Sequence, residues 1–117
     1  MNIEEYRNYC LTKKGVTEEC PFDNNTLVFK VMGKMFALTG IDYFESINLK
    51  CDPEKAIELR ETWPAVFPGY HMNKKHWNTI VNDGSIPVVT IYKWIDHSYE
   101  LVSAGLNKRQ KQILEEL

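Results

Sequence analysis

The fold is decided by the stretch Thr26-Leu27-Val28-Phe29-Lys30-Val31-Met32-Gly33-Lys34-Met35-Phe36-Ala37-Leu38-Thr39. β-Branched and aromatic residues dominate both of its halves, and Gly33-Lys34 between them is typical of a tight turn. The stretch therefore predicts a hairpin with strands over 26–32 and 35–39. Partial alternation of apolar and polar residues over 44–50 predicts a third strand, which extends the hairpin into an antiparallel meander with one buried face.

A helix precedes this meander. Asn2 followed by Glu5 is a capping-box pattern, and Gly15 stands where a glycine commonly ends a helix. These signals predict a first helix over residues 3–14. Residues 16–25 contain a proline and several polar residues, and we interpret them as a connecting loop.

Helical patterns return after the meander. Asp52-Pro53 supplies a cap and a proline at the first helical position, and Pro64 marks where that helix must end. Residues 86–104 begin with β-branched residues, but their apolar residues recur at helical spacing, which favours a helix. The remaining predictions are a helix over 53–62, a strand over 76–82, the long helix over 86–104 and a short helix over about 108–116. The predicted fold class is α+β, an antiparallel sheet of about five strands covered by N- and C-terminal helices.

Length and composition are those of one soluble domain. The chain has 117 residues, of which 44% are hydrophobic and 26% charged. No apolar run reaches the roughly 18 residues of a membrane-spanning helix, and the first residues do not resemble a signal peptide. Three cysteines without a CxxC pair suit reduced thiols. We therefore expect a cytoplasmic, monomeric protein that does not bind membranes.

The stretch Pro68-Gly69-Tyr70-His71-Met72-Asn73-Lys74-Lys75-His76-Trp77 is the best candidate for a functional site. Lysines contact phosphates, asparagine and histidine hydrogen-bond phosphates or base edges, and an exposed tyrosine can stack on an unpaired base. The net charge of −2 disfavours indiscriminate nucleic-acid binding but permits a local basic patch. The candidate nucleic-acid-binding residues are Lys34, Tyr70, His71, Asn73, Lys74, Lys75 and His76.

The same residues can also have purely structural roles, and we considered a metal site and a catalytic site as well. The aromatic residues Tyr70 and Trp77 are equally compatible with a core, and the lysines with a solvated loop. His71 and His76 are not spaced like paired zinc ligands, so no metal or other cofactor is predicted. Ser98 lacks a glycine elbow and Cys51 an evident base, so no catalytic constellation is found.

Four segments resemble the MmcQ/YjbR family. They are Phe29-Lys30-Val31-Met32-Gly33-Lys34-Met35-Phe36-Ala37, Leu49-Lys50-Cys51-Asp52-Pro53, the stretch 68–77, and Ser98-Tyr99-Glu100-Leu101-Val102. The resemblance implies a compact α+β domain similar to the CyaY (frataxin-like) arrangement. Members are commonly labelled DNA-binding because their hairpins resemble a double-winged arrangement, and fold alone does not fix function. DNA binding is accordingly the leading hypothesis, and the alternative is a non-enzymatic domain that binds a small ligand or a protein through a His/Tyr/Trp-lined pocket.

Overall fold

The computed structural model of the protein describes residues 1–117 and contains one antiparallel sheet and four helices, which confirms the α+β class. The sheet has the strand order β1-β2-β3-β4-β6-β5. Its strands are β1 Val16–Glu19, β2 Thr26–Val31, β3 Lys34–Gly40, β4 Ser46–Lys50, β5 Val66–Pro68 and β6 Trp77–Val81. The helices are α1 Ile3–Leu11, α2 Pro53–Thr62, α3 Val88–Ala104 and α4 Lys108–Glu115. Likeness to CyaY in particular stays a prediction.

The predicted helix starts are present in the structure. The Asn2 side chain accepts the Glu5 N–H at 2.8 Å, and Asp52 accepts the Lys55 N–H at 3.3 Å. Helix α1 ends at Leu11, three residues before the predicted end. The chain turns after it, because Gly15 has a φ of +72° and leads directly into β1. None of the four helices has the length and apolar character needed to cross a membrane.

Two strands were not predicted. Strand β1 lies within residues 16–25, for which the sequence predicts a loop, and β5 has only three residues and ends in a proline. Both are edge strands, whose polar or proline-containing sequences carry little strand signal of their own. Side chains secure β1 from two sides, since Glu18 pairs with Arg7 and Glu19 pairs with Lys30.

The hairpin turn lies one residue earlier than predicted. Val31 pairs with Lys34, so the two-residue connection is Met32-Gly33. Both connecting residues have positive φ, +50° and +79°, as a tight hairpin turn matched to strand twist requires. Lys34 is therefore the first residue of β3, not part of the turn.

One face of the sheet is covered by helices and holds the main core. Helix α1 contributes Tyr6 and Cys10 to it, and α3 contributes Ile91, Trp94, Ile95 and Val102. The fully buried Tyr6 hydroxyl donates to the Leu38 carbonyl at 3.1 Å. Sheet residues on this covered face include Phe29, Val31, Phe36, Ala37, Ile47, Leu49 and Ile80.

A β-bulge interrupts the pairing of β2 with β3, and a serine from α3 fills the gap. Phe29 pairs with Ala37 but Lys30 pairs with Met35, which leaves Phe36 as the extra residue. The fully buried Ser98 hydroxyl donates to the Phe36 carbonyl at 2.5 Å and accepts the Lys50 N–H at 2.9 Å. Ser98 thus satisfies backbone groups of two neighbouring strands.

The N-terminal segment is held by the last thirty residues of the chain. The Tyr9 hydroxyl donates to Asp96 at 2.7 Å, and its ring stacks on Tyr92 with centroids 3.9 Å apart. The Tyr99 hydroxyl donates to the Lys14 carbonyl at 2.5 Å. Helix α3 therefore contacts both α1 and the segment that follows α1, and these contacts join the N-terminal and C-terminal parts of the chain.

Candidate ligand cavity on the open sheet face

The second face of the sheet, which we call the open face, carries a separate small apolar cluster. Val28, Leu38 and Trp77 form its buried part, and Met35 and Met72 pack against it. None of these five residues belongs to a helix. The cluster is covered by the segment 69–76, which joins β5 to β6 and which we call the site loop.

Close backbone packing sets the path of the site loop. The Gly69 N–H donates to the Trp77 carbonyl at 2.8 Å, and a Cβ atom at position 69 would lie 2.8 Å from the Trp77 Cβ. His71 adopts a positive φ of +58°. The Asn73 side-chain oxygen accepts the Lys75 N–H at 2.9 Å, which closes a local turn. Contacts within the site loop and with the start of β6 therefore set its backbone path.

Arg60 fixes the site loop from α2. Its Nε donates to the Asn78 side-chain oxygen at 2.7 Å, and a terminal nitrogen of its guanidinium donates to the Lys74 carbonyl. Asn78 is itself buried and donates its side-chain NH2 to the Ala56 carbonyl at 3.3 Å. One guanidinium thus links helix, strand and loop.

A cavity of about 610 Å³ lies on the open face beside the site loop. Met35, Leu38 and Met72 give it an apolar floor, and the aromatic rings of Phe22 and Tyr70 line it from two different loops. The remaining lining residues are Thr26, Thr39, Gly40, Ser46, Asn48, His71 and Asn73. The lining contains no lysine, arginine, aspartate or glutamate, so the only titratable groups in it are an imidazole and a phenol.

A chain of hydrogen bonds orients the polar groups beside the cavity. The Tyr70 N–H donates to the Thr79 hydroxyl at 3.0 Å, and that hydroxyl donates to the Asn48 side-chain oxygen at 2.5 Å. The Asn48 side-chain NH2 has no acceptor within the protein. The same holds for Asn73, whose side-chain oxygen accepts the Lys75 N–H and whose NH2 is unpaired. Asn48 and Asn73 therefore bring to the cavity lining two amide NH2 groups that have no acceptor within the protein.

The sequence-predicted site residues separate into two groups. Tyr70, His71 and Asn73 line the cavity. The residues that do not line it are Lys34, Lys74, Lys75 and His76. The Lys74 ammonium donates to the Gly69 carbonyl at 3.1 Å, whereas Lys34 and Lys75 are exposed and make no ion pair. Trp77, considered as a pocket aromatic, is only 8% exposed and lies in the cluster below the loop.

Sequence reasoning missed the lining residues outside the site loop. Phe22 lies in the loop before β2, and Asn48 lies in the middle of β4. A signal for Asn48 did exist, because it is the polar member of the alternating Ile47-Asn48-Leu49 triplet and so had to face away from the core. No local pattern connects Phe22 with the site loop.

The other chemically capable side chains have structural surroundings. Burial raises the pKa of the Cys51 thiol to about 11, so the thiolate is scarce near neutral pH. The His97 Nε2 accepts the Asp52 N–H at 3.3 Å, and burial, followed by the charge of Lys55, lowers the pKa of its imidazole. Three or more metal-ligating side chains do not converge anywhere on the chain.

Fold and cavity together define the class: an α+β domain of six antiparallel strands, with helices on one sheet face and a cavity on the other. The family model of YjbR matches residues 11–101. The chain belongs to the YjbR family.

Relatives and solved structures agree with that assignment. The chain is 33% identical to "Uncharacterized protein YjbR" of Escherichia coli K12 over 118 positions, which cover 100% of both chains. It is 38% identical to "Uncharacterized protein YbdF" of Escherichia coli O157:H7 over 96 positions, or 79% of this chain and 76% of the relative. The crystal structure of Deinococcus radiodurans DR2400, of domain family DUF419, superposes with a TM-score of 0.90 at 39% identity, covering 97% of this chain and 88% of that one. A Pseudomonas syringae crystal structure gives a TM-score of 0.73 at 29% identity, covering 87% and 99%.

Proposed function

We propose that this protein is a non-enzymatic domain that binds a small, uncharged organic molecule in the open-face cavity. The observation that carries the proposal is a cavity of about 610 Å³ with an apolar floor, a neutral polar lining and two unpaired amide donors. Ligand sites have volumes of about 300–1,000 Å³ and combine apolar walls with a few placed polar groups. The cavity has both properties.

The lining also indicates which ligands are disfavoured. A ligand with a fixed charge loses hydration when it enters a cavity and needs an opposite charge there in compensation. The lining of this cavity contains no lysine, arginine, aspartate or glutamate that could supply the opposite charge. An uncharged ligand needs no such compensating charge and therefore suits this cavity better.

Exposed aromatic side chains at the cavity support the same conclusion. Phe22 is 64% exposed and Tyr70 is 68% exposed, and both line the cavity. Large apolar side chains that stay accessible beside a concave surface mark contact sites for a partner or a ligand. The two rings lie on loops that leave opposite ends of the sheet, and both belong to the lining of the one cavity.

DNA binding is the second candidate function. Strand directions bring Lys34, Lys50 and the site loop with Lys75 to one end of the sheet, which permits a shared phosphate-binding edge. Fewer cations are available there than the sequence predicts, because the predicted Lys74 donates to its own loop. Lys30, the next cation along the hairpin, pairs with Glu19. The net charge of −2 adds no long-range attraction for a polyanion.

Methyl spectra test ligand binding directly. The chain has four methionines, and two of them, Met35 and Met72, line the cavity. A library of uncharged fragments is screened by the ¹³C-methyl shifts of methionine-labelled protein. Fragments that shift Met35 and Met72 in the wild type but not in Ser46→Phe, which places a ring in the cavity, support the proposal. Ser85→Phe, which adds the same ring outside it, should bind like the wild type; a library in which no fragment shifts either methyl would overturn the proposal.

Fluorescence anisotropy with a labelled duplex tests the second candidate. Phosphate contacts make affinity fall steeply between about 50 and 200 mM salt. Salt-sensitive binding that is lost in Lys34→Ala/Lys75→Ala and kept in the control Lys93→Ala/Lys108→Ala would support DNA binding through this edge. No binding by the wild type at low salt would remove DNA from consideration.

A further inference from the structure

We infer that the molecule bound in the open-face cavity is a planar aromatic ring system that carries hydrogen-bond acceptors on its edge. This inference rests on the proposed function and narrows it to a chemical class. Three features support the assignment: the unpaired amide donors, the pair of exposed rings and the absence of lining charges.

The donors require acceptors. The Asn48 oxygen is committed to the Thr79 hydroxyl at 2.5 Å, and the Asn73 oxygen to the Lys75 N–H at 2.9 Å. In each amide the group left for a ligand is therefore the NH2, which only donates. A ligand that brings only N–H groups to these positions would place donors against donors, and neither amide NH2 would gain a hydrogen bond.

The rings favour a flat ligand. Phe22 and Tyr70 line the same cavity from loops that leave opposite ends of the sheet, and each exposes more than 60% of its surface. Aromatic side chains prefer to stack on, or meet edge to face, another planar π system. The ring of His71 lies 4.0 Å from that of Tyr70 at an interplanar angle of 52°, so it adds a second aromatic surface that is tilted against the first. A saturated ring of equal size gains only the area it buries.

The neutral lining limits the acceptors to uncharged ones. Carbonyl oxygens and weakly basic ring nitrogens accept hydrogen bonds without a charge that the cavity would have to balance. Heteroaromatic rings of the kind found in nucleobases combine such acceptors with a flat surface. The class is therefore uncharged heteroaromatic molecules rather than acids or amines.

Three small probes separate these requirements. Quinoxaline is planar, uncharged and carries two ring-nitrogen acceptors; indole is planar but only donates; N-methylpyrrolidone accepts but is not aromatic. Each is titrated into ¹⁵N- and methionine-methyl-labelled protein. We expect quinoxaline to bind with a dissociation constant in roughly the millimolar range, as a fragment of its size does. It should shift the side-chain amide signals of Asn48 and Asn73, and the other two probes should bind several-fold more weakly.

Matched variants test the named groups. Asn48→Asp keeps an oxygen that accepts from Thr79 and replaces the NH2 by a carboxylate oxygen, which faces the ring nitrogen as acceptor against acceptor, so quinoxaline should bind at least about tenfold more weakly. Tyr70→Leu should also weaken it several-fold. Tyr43→Leu removes an equally exposed ring, 75% accessible, that does not line the cavity, and should have no effect.

The outcomes distinguish the inference from the proposal on which it rests. Indole or N-methylpyrrolidone binding at Met35 and Met72 as tightly as quinoxaline would overturn the ligand class and leave the cavity as a binding site. Equal quinoxaline affinity in the wild type and Asn48→Asp would likewise overturn the assigned donor. Failure of every fragment to reach these methyls would overturn the proposed function itself.

Discussion

Replacing Ser98 by alanine should destabilise the protein strongly, because its hydroxyl is the partner of two buried backbone groups. The hydroxyl is fully buried, donates to the Phe36 carbonyl at 2.5 Å and accepts the Lys50 N–H at 2.9 Å. Ser98→Ala leaves one donor and one acceptor of the sheet without a partner. Each buried unsatisfied group costs about 1–3 kcal/mol, so we expect the free energy of unfolding to fall by about 2–6 kcal/mol. The loss is a large part of the roughly 5–15 kcal/mol typical of a domain.

Urea unfolding followed by far-ultraviolet circular dichroism measures this loss. The matched control is Ser103→Ala on the same helix, whose hydroxyl donates only to the Tyr99 carbonyl one turn earlier, at 2.7 Å. That change should alter the free energy of unfolding by about 0.5 kcal/mol or less. Equal midpoints for the two variants, with unchanged slopes, would refute the reasoning, because the bulge groups would then be satisfied without the serine.

Three further predictions concern the site loop and α2. Gly69→Ala should lower the free energy of unfolding by about 1–3 kcal/mol in the same urea assay, because its Cβ would lie 2.8 Å from the Trp77 Cβ; an unchanged midpoint would show that the loop moves freely. Arg60→Gln should speed hydrogen–deuterium exchange of the site-loop amides with little change in the core, since the guanidinium holds that loop to α2; unchanged exchange would contradict this role. Burial, and then the charge of Lys55, lowers the pKa of the His97 imidazole, so the folded state favours the neutral ring. The stability that the neutral ring contributes is fully present above the ordinary histidine pKa of about 6.5. It is lost as the pH falls toward the lower pKa of the folded state. Unfolding free energies between pH 7.5 and 5 should therefore fall less in His97→Gln, which keeps an acceptor but does not titrate, and parallel pH curves would refute this.

Local signals predicted most of the fold. The capping patterns at Asn2 and Asp52 depend on residues three apart, and the helical spacing in residues 86–104 outweighed its β-branched start. The edge strands β1 and β5 could not be found in the same way. Each is a strand because a neighbour offers it hydrogen bonds, and that neighbour is identified only once the sheet is assembled.

The candidate site was less predictable than the fold, for the same reason. The sequence identifies Tyr70, His71 and Asn73 as candidates because they lie together in the stretch 68–77, and in the structure all three line the cavity. Phe22 and Asn48 join them only through strand pairing. The Lys74 ammonium donates to the Gly69 carbonyl only because of the path that the loop takes. Residue types alone do not specify that path.

The contacts between the two ends of the sequence have a consequence for synthesis. Tyr9 meets Asp96, and the Lys14 carbonyl meets Tyr99, across separations of 87 and 85 residues. At ribosomal rates of about 5–20 residues per second, these partners are made roughly 4–17 s after the N-terminal segment. The β2–β3–β4 meander, whose pairs are close in sequence, can form during that interval. The contacts of Tyr9 and Lys14 with α3 therefore form after the meander has had time to fold.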